Sequence, residues 1–264
     1  MKDKHGMVER QVAIVTGSAT GVGSETALQL SELGWNVVIN YTKSGAEAEA
    51  TSQRCMAAGA DVLMVQADVA DDASCCKMVA DTVDRWGRID ALINNAGTTK
   101  FCSYDDLDGI EKKDFLNIYS VNVVGAYQMA RSSAGFLKAA KGVVINNASI
   151  AGLTGLGSSI AYAASKGAMV TLTLSLAHAL GPDVRVNAVC PGFIQGRWTK
   201  GYLGNRYDEV LANFEKASTL QRTATPSDVA EAIVYLATKA KLITGEVMIV
   251  DGGSTLKQVT LGRQ

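Results

Sequence analysis

Proline is nearly missing from this chain, with 3 residues in 264 against 26 glycines. Few elements can therefore be broken from within, and turns fall to glycine, which suits long regular elements joined by tight loops. Histidine is scarcer still, only His5 and His178, and the five cysteines (Cys55, Cys75, Cys76, Cys102, Cys190) show no C-x-x-C spacing. That leaves no metal site to expect, and it points to reduced thiols in a cytoplasmic protein rather than a disulfide framework. An excess of one charge is lacking as well, 25 basic residues meeting 26 acidic ones. Neither nucleic acid nor a membrane surface is expected as a partner. No apolar run approaches a membrane span, and residues 1–10 are polar and charged, without the apolar stretch of a signal peptide.

Apolar residues make up 47% of the chain, enough for a sizeable core. Short apolar runs at 12–15, 37–40, 62–66, 91–94, 143–147, 185–189 and 247–250 read as strands, and amphipathic stretches at 22–33, 46–57, 73–86, 115–138, 162–180 and 227–237 read as helices. Near-continuous apolar strands suit a parallel sheet covered on both faces. Seven alternations without a linker predict one doubly wound α/β domain over residues 1–264, with a seven-stranded parallel sheet flanked by helices. Residues 194–225 fall outside the alternation. They carry Trp198, Tyr202, Tyr207 and Phe214 and are punctuated by Gly201 and Gly204, which predicts a substrate lid with an apolar cover.

Two constellations carry chemistry. The first strand runs into Gly17-Ser18-Ala19-Thr20-Gly21-Val22-Gly23. Gly17 permits a sharp turn, and Gly21 and Gly23 let a pyrophosphate approach the N–H groups that open the next helix. The spacing is G-x-x-x-G-x-G, and a glycine-rich turn also serves simply to pack a helix on a sheet. The second constellation is Tyr162 and Lys166, four apart on one helix face. Ser149 precedes them at the end of a strand, where sites form in parallel sheets. A cation beside a phenol favours phenolate, so Tyr162 is expected to titrate below free tyrosine.

Thr16 to Gly23, Asn94-Asn95-Ala96-Gly97, Ser149 with Tyr162-x-x-x-Lys166, and Pro191-Gly192 occur in that order, followed by Ile243-Thr244-Gly245-Glu246 and Val250-Asp251-Gly252-Gly253. Together they resemble the short-chain dehydrogenase/reductase family over roughly residues 8–255, most closely its 3-oxoacyl-acyl-carrier-protein reductase-like branch. The resemblance implies a Rossmann-type fold and a catalytic tetrad of Asn122, Ser149, Tyr162 and Lys166. Asn122 would hold a water linking Lys166 to solvent, and Ser149 would donate to the substrate oxygen. Tyr162 would pass the proton while the nicotinamide exchanges hydride, and Lys166 would tune Tyr162 and bind the ribose. It also implies cofactor contacts at Asp68 and Val69 (adenine), at Asn95, Ala96 and Gly97, and at Pro191, Gly192 and Ile194 (nicotinamide). A homotetramer is the family's usual assembly.

An acid at the end of the second strand would bind the ribose hydroxyls of NAD and repel a 2′-phosphate. Here the strand closes on Asn40 and Tyr41, with Lys43 nearby, so NADP is the expected cofactor and NAD the alternative. Thr20 stands where many NADP-preferring relatives carry a basic residue. The threonine usual after Pro-Gly is missing, which leaves the carboxamide contact to Gln195, Thr199 or backbone. The leading reading is an NADP-preferring carbonyl reductase on a small carbonyl/alcohol substrate, a 3-oxoacyl thioester being one candidate. The alternatives are an NAD-dependent alcohol, sugar or steroid dehydrogenase and a non-catalytic NADP-binding redox sensor or scaffold. Arg197, Lys200, Arg206, Lys216 and Arg222 could face an acidic carrier protein; Asp208, Glu209 and Glu215 dilute them.

Overall fold

Seven strands, β1 (Val12–Val15), β2 (Asn36–Tyr41), β3 (Val62–Gln66), β4 (Ala91–Asn94), β5 (Val143–Asn147), β6 (Arg185–Pro191) and β7 (Val247–Val250), form one sheet in the order β3-β2-β1-β4-β5-β6-β7. Every pairing is parallel. β1 and β4 are fully buried four-residue strands. They read as unbroken apolar runs because helices cover both faces. The computed structural model describes residues 10–256, so the ends of the expected 1–264 domain, the polar residues 1–9 and His5 lie outside the described residues.

Helices α1 (Gly21–Glu32), α2 (Gly45–Ala57) and α3 (Asp72–Trp86) alternate with the first strands, and α10 (Pro226–Thr238) packs beside α1. One apolar cluster includes Ala13, Val15 and Ile39 with Leu30, Val229 and Ile233; the opposite face holds Ile14, Val38 and Leu92 with Met78, Met129 and Leu137. Alternate residues of each strand thus feed two cores, which is the period-2 consequence of the pleat.

The predicted helix 115–138 is a longer composite. It opens as α4 (Lys112–Tyr119), passes through a π-helical turn over Ser120–Gly125, and continues as α5 (Ala126–Ala140). Glu111 and Asp114 form a capping box at its start, so the helix opens three residues before the apolar periodicity. The π-turn inserts one residue into the register and turns Asn122 fully inward.

After β5 come a short α6 (Ala151–Thr154) and the long α7 (Ile160–Leu180), capped by Ser159, whose hydroxyl accepts from Tyr162 N. By length and apolarity alone α7 could cross a membrane, but it lies on the sheet with Met169, Thr173, Leu176 and Leu180 buried. The 194–225 excursion is helical rather than loop: α8 (Arg197–Leu203), a 3-10 turn at Gly204–Arg206 and α9 (Tyr207–Ala217). Its base is stitched by a bridge between Ile194 and Ala224, by Gln195 N donating to Ala224 O (2.9 Å) and by Ala224 N donating to Phe193 O (3.2 Å).

Candidate active site

The carboxyl ends of β1, β4 and β5 converge on the glycine-rich turn. Gly17 has φ +61°, and a Cβ there would lie 2.8 Å from Ala96 Cα; a Cβ on Gly23 would lie 2.5 Å from Asn95 Nδ2 and 2.6 Å from Gly17 O. Neither position admits a side chain. Gly21 (φ +62°) has nothing within 4 Å of its Cβ position and opens α1 toward the cleft. Thr20, the N-cap, makes no side-chain cap bond, and no acid stands in the first turn. The N–H groups at this helix end thus remain for an outside acceptor, with the helix dipole favouring an anion. These residues fit a dinucleotide's pyrophosphate. Val22, expected among its contacts, is buried.

Ser18 and Asn40 are buried and committed to the protein. Asn40 Oδ1 accepts from Gly17 N (3.0 Å), its Nδ2 donates to Ala67 O (3.0 Å), and Ser18 Oγ donates to Val15 O (2.7 Å). They shape the turn rather than offering side chains to a ligand. Asn95 works in the same way. Its Nδ2 donates to Thr16 O (2.9 Å) and Gly17 O (3.0 Å), while Ala96 N donates to Thr16 Oγ1 (3.0 Å). Tyr41 is half-buried and Lys43 exposed at the end of β2. Asp68 is exposed with Oδ1 accepting from Ala70 N (2.9 Å), and the neighbouring Val69 is buried. Pro191 ends β6, and Gly192 N donates to Val250 O (3.0 Å). Of the candidates for the carboxamide contact, Gln195 Nε2 donates to Thr223 Oγ1 (3.0 Å), and the Thr199 hydroxyl is turned onto Gly196 O (3.0 Å) and Ile194 O (3.2 Å).

Ser149, Tyr162 and Lys166 come together at the end of β5. The Ser149 side chain lies near enough to the Tyr162 phenol to pull its pKa down, and Lys166 Nζ lies 5.6 Å from the centroid of the Tyr162 ring. Lys166 is buried and donates to Asn147 O (2.7 Å). Asn147 in turn donates through Nδ2 to Asn95 Oδ1 (2.9 Å), so one polar chain joins the lysine to the glycine-rich turn. Asn122 Nδ2 donates to Thr98 O (3.0 Å) and Ser165 Oγ (3.0 Å), and its Oδ1 accepts from Thr98 N (2.8 Å). The space that a side chain on Gly97 would fill is bounded by Asn122 Oδ1 (3.5 Å) and Lys166 Nζ (3.8 Å).

The expected electrostatics of Tyr162 needs correction. Burial pushes its pKa up to about 12, with the Ser149 bond pulling the other way. Burial also brings Lys166 down to about 8. Desolvation disfavours both charged forms and is the largest influence on each. At neutral pH the phenol therefore stays protonated.

Sequence reasoning missed several neighbours. Cys190, on β6, is buried with its thiol pushed up by burial, against a backbone bond at Ser149 and the Lys166 charge. Asn147 was legible in principle, two residues before Ser149 on the same strand. Phe101 carried no local signal, yet it stacks on Tyr202. Of the four aromatics expected as a cover, Trp198 stands edge-on to Tyr162, and Tyr202 connects to it through Phe101. Phe214 stacks on Phe193 (centroids 4.4 Å) and Tyr207 is buried nearby (6.5 Å), so both serve packing. Arg197 of α8 pairs with Glu47 of α2.

A family model described as Enoyl-(Acyl carrier protein) reductase matches residues 17–255. The chain is 39% identical over 249 residues to the Streptomyces violaceoruber protein named "Granaticin polyketide synthase putative ketoacyl reductase 2", covering 94% of this chain and 97% of that one. It is 34% identical over 245 residues to the Staphylococcus aureus 3-oxoacyl-acyl-carrier-protein reductase FabG, covering 91% and 96% respectively. A crystal structure from Burkholderia xenovorans, titled as a short-chain dehydrogenase/reductase, superposes with a TM-score of 0.89 at 39% identity, over 95% of this chain and all of that one. With the turn, the Ser-Tyr-Lys cluster and these relatives in register, the chain belongs to the short-chain dehydrogenase/reductase family of nicotinamide-dependent oxidoreductases.

Proposed function

We propose that the chain is an NADP-preferring carbonyl reductase in which Tyr162 is the proton donor. The observation that carries this reading is the convergence of Ser149, Tyr162 and Lys166, with Lys166 Nζ 5.6 Å from the centroid of the Tyr162 ring, beside a helix end with no side-chain cap. When bound, the nicotinamide supplies or takes the hydride. Ser149 donates to the substrate oxygen and orients it. Tyr162 passes its proton to that oxygen as the alcohol forms. Lys166 replaces the proton and binds the ribose. Asn122 fixes Thr98 and Ser165, and its remaining acceptor lone pair faces the Gly97 space shared with Lys166 Nζ, where a relay water belongs. Tyr41 and Lys43 in place of an acid support the choice of NADP, and segment 194–225 acts as the substrate lid. The names of the relatives suggest a ketoacyl substrate.

A homotetramer is supported by exposed apolar residues along the α4–α5 composite, Phe115, Leu116, Val124, Tyr127 and Phe136. A stable monomer in sedimentation would remove that part of the reading. A cytoplasmic setting is supported by the free cysteines. The catalytic assignment is tested with Tyr162→Phe in a substrate-dependent NADPH oxidation assay. Folding and nucleotide binding should persist while turnover falls roughly 10²-fold or more. Near-normal turnover of a verified substrate would refute it.

A further inference from the structure

The ring of Trp198 stands edge-on to Tyr162 (centroids 6.2 Å, 79°) and also to Phe101 (6.2 Å, 73°). Phe101 stacks flat on Tyr202 at 3.8 Å and 8°. Three rings from two distant segments thus build an aromatic wall that runs up to the catalytic phenol. A Cβ on Gly157 would sit 3.2 Å from the ring carbon Cδ1 of Tyr162, so that edge of the phenol is closed by main chain. Trp198 and Tyr202 nevertheless remain 52% and 49% exposed. Large rings left half in water next to a reacting group mark a subsite.

At least three of the five basic residues of the same segment are engaged. Arg197 pairs with Glu47, Arg222 with Asp228, and Lys200 Nζ lies 5.1 Å over the Tyr207 ring.

We infer that this wall selects ketones bearing a flat, conjugated ring next to the carbonyl, with Trp198 as the specificity-determining residue. Ring faces gain from stacking or edge-to-face contact beyond the area they bury, whereas a saturated ring of equal size gains the area alone. The inference rests on the Tyr162 reading, since the wall discriminates only if the carbonyl is delivered to that phenol.

The test compares acetophenone with cyclohexyl methyl ketone, which share a skeleton but differ in flatness. kcat/KM with NADPH, and Kd by calorimetric titration in the presence of NADP+, are measured for the wild type and for Trp198→Leu, Phe101→Leu and Tyr162→Phe. Trp198→Leu should lower the acetophenone to cyclohexyl ketone ratio by roughly three- to tenfold in both quantities, with Phe101→Leu moving it the same way. Tyr162→Phe should lower turnover of both ketones by roughly 10²-fold or more and leave the binding ratio intact. A ratio unmoved by Trp198→Leu, or no measurable binding of either ketone, overturns the inference. Near-normal turnover in Tyr162→Phe overturns the catalytic reading instead, so the two failures are distinguishable.

Discussion

Replacing Lys166 by methionine exchanges a buried ammonium for an apolar side chain of similar length, and its effect on stability should depend on pH. The folded-state pKa of Lys166 is lowered from 10.5 to about 8. Between those values the folded chain binds fewer protons than the unfolded one, so wild-type stability rises with pH across that window. Near pH 7 the full penalty for burying the charge applies, about 3 kcal/mol at ~1.4 kcal/mol per unit. By pH ~9.5, still below the usual tyrosine range, about 2 kcal/mol of it should be relieved. The bond from Nζ to Asn147 O (2.7 Å) favours the ammonium, which makes this an upper value. Lys166→Met has no such titration. Urea unfolding of both proteins without nucleotide, at both pH values, gives the double difference, in which shared titrations cancel. Wild type should gain on the variant by about 2 kcal/mol toward alkaline pH. A constant difference between the two curves would show that Lys166 titrates normally and would refute the desolvation argument.

Gly23→Ala should abolish nucleotide binding and destabilise the fold by about 1–3 kcal/mol through overpacking, because its Cβ would meet Gly17 O at 2.6 Å and Ser18 Cα at 2.8 Å; thermal melts with and without NADP+ would check both effects. NADPH should give a higher kcat/KM than NADH, and Lys43→Ala should narrow the gap mainly by raising KM for NADPH; an NADH preference in the unmodified protein would contradict this. Residues 194–225 should exchange amide hydrogens faster than the central strands without ligand; exchange as slow there as in β1 and β4 would count against a lid.

The layering of the fold was legible because a parallel sheet covered on both faces writes itself as apolar runs such as Val12–Val15 and Ala91–Asn94. The Ser149–Tyr162–Lys166 cluster was legible because strand end and helix spacing bring those residue types together. Three features were not. The π-turn at Ser120–Gly125 buries Asn122 and leaves no periodic trace in the sequence. The pKa of Tyr162 depends on burial, which residue spacing cannot report. Phe101 reaches Trp198 and Tyr202 only through tertiary packing. The helices within 194–225 were obscured by glycines that look like loop punctuation, Gly201 inside α8 and Gly204 at its end.

The side-chain amides that bind the site together also set when it can form. Asn95 bonds to Thr16 across 79 residues of sequence, Asn147 to Asn95 across 52, and Asn122 to Ser165 across 43. Contacts so remote carry the loop-closure entropy of long intervening segments and form after local helices and neighbouring strands have paired. The nucleotide turn and the proton-transfer cluster therefore share an assembly step, late in folding, with the closing of the central strands. A collapsed chain with its helices in place but β1, β4 and β5 undocked has neither half of the site, so regained activity on refolding should trail the recovery of helical signal.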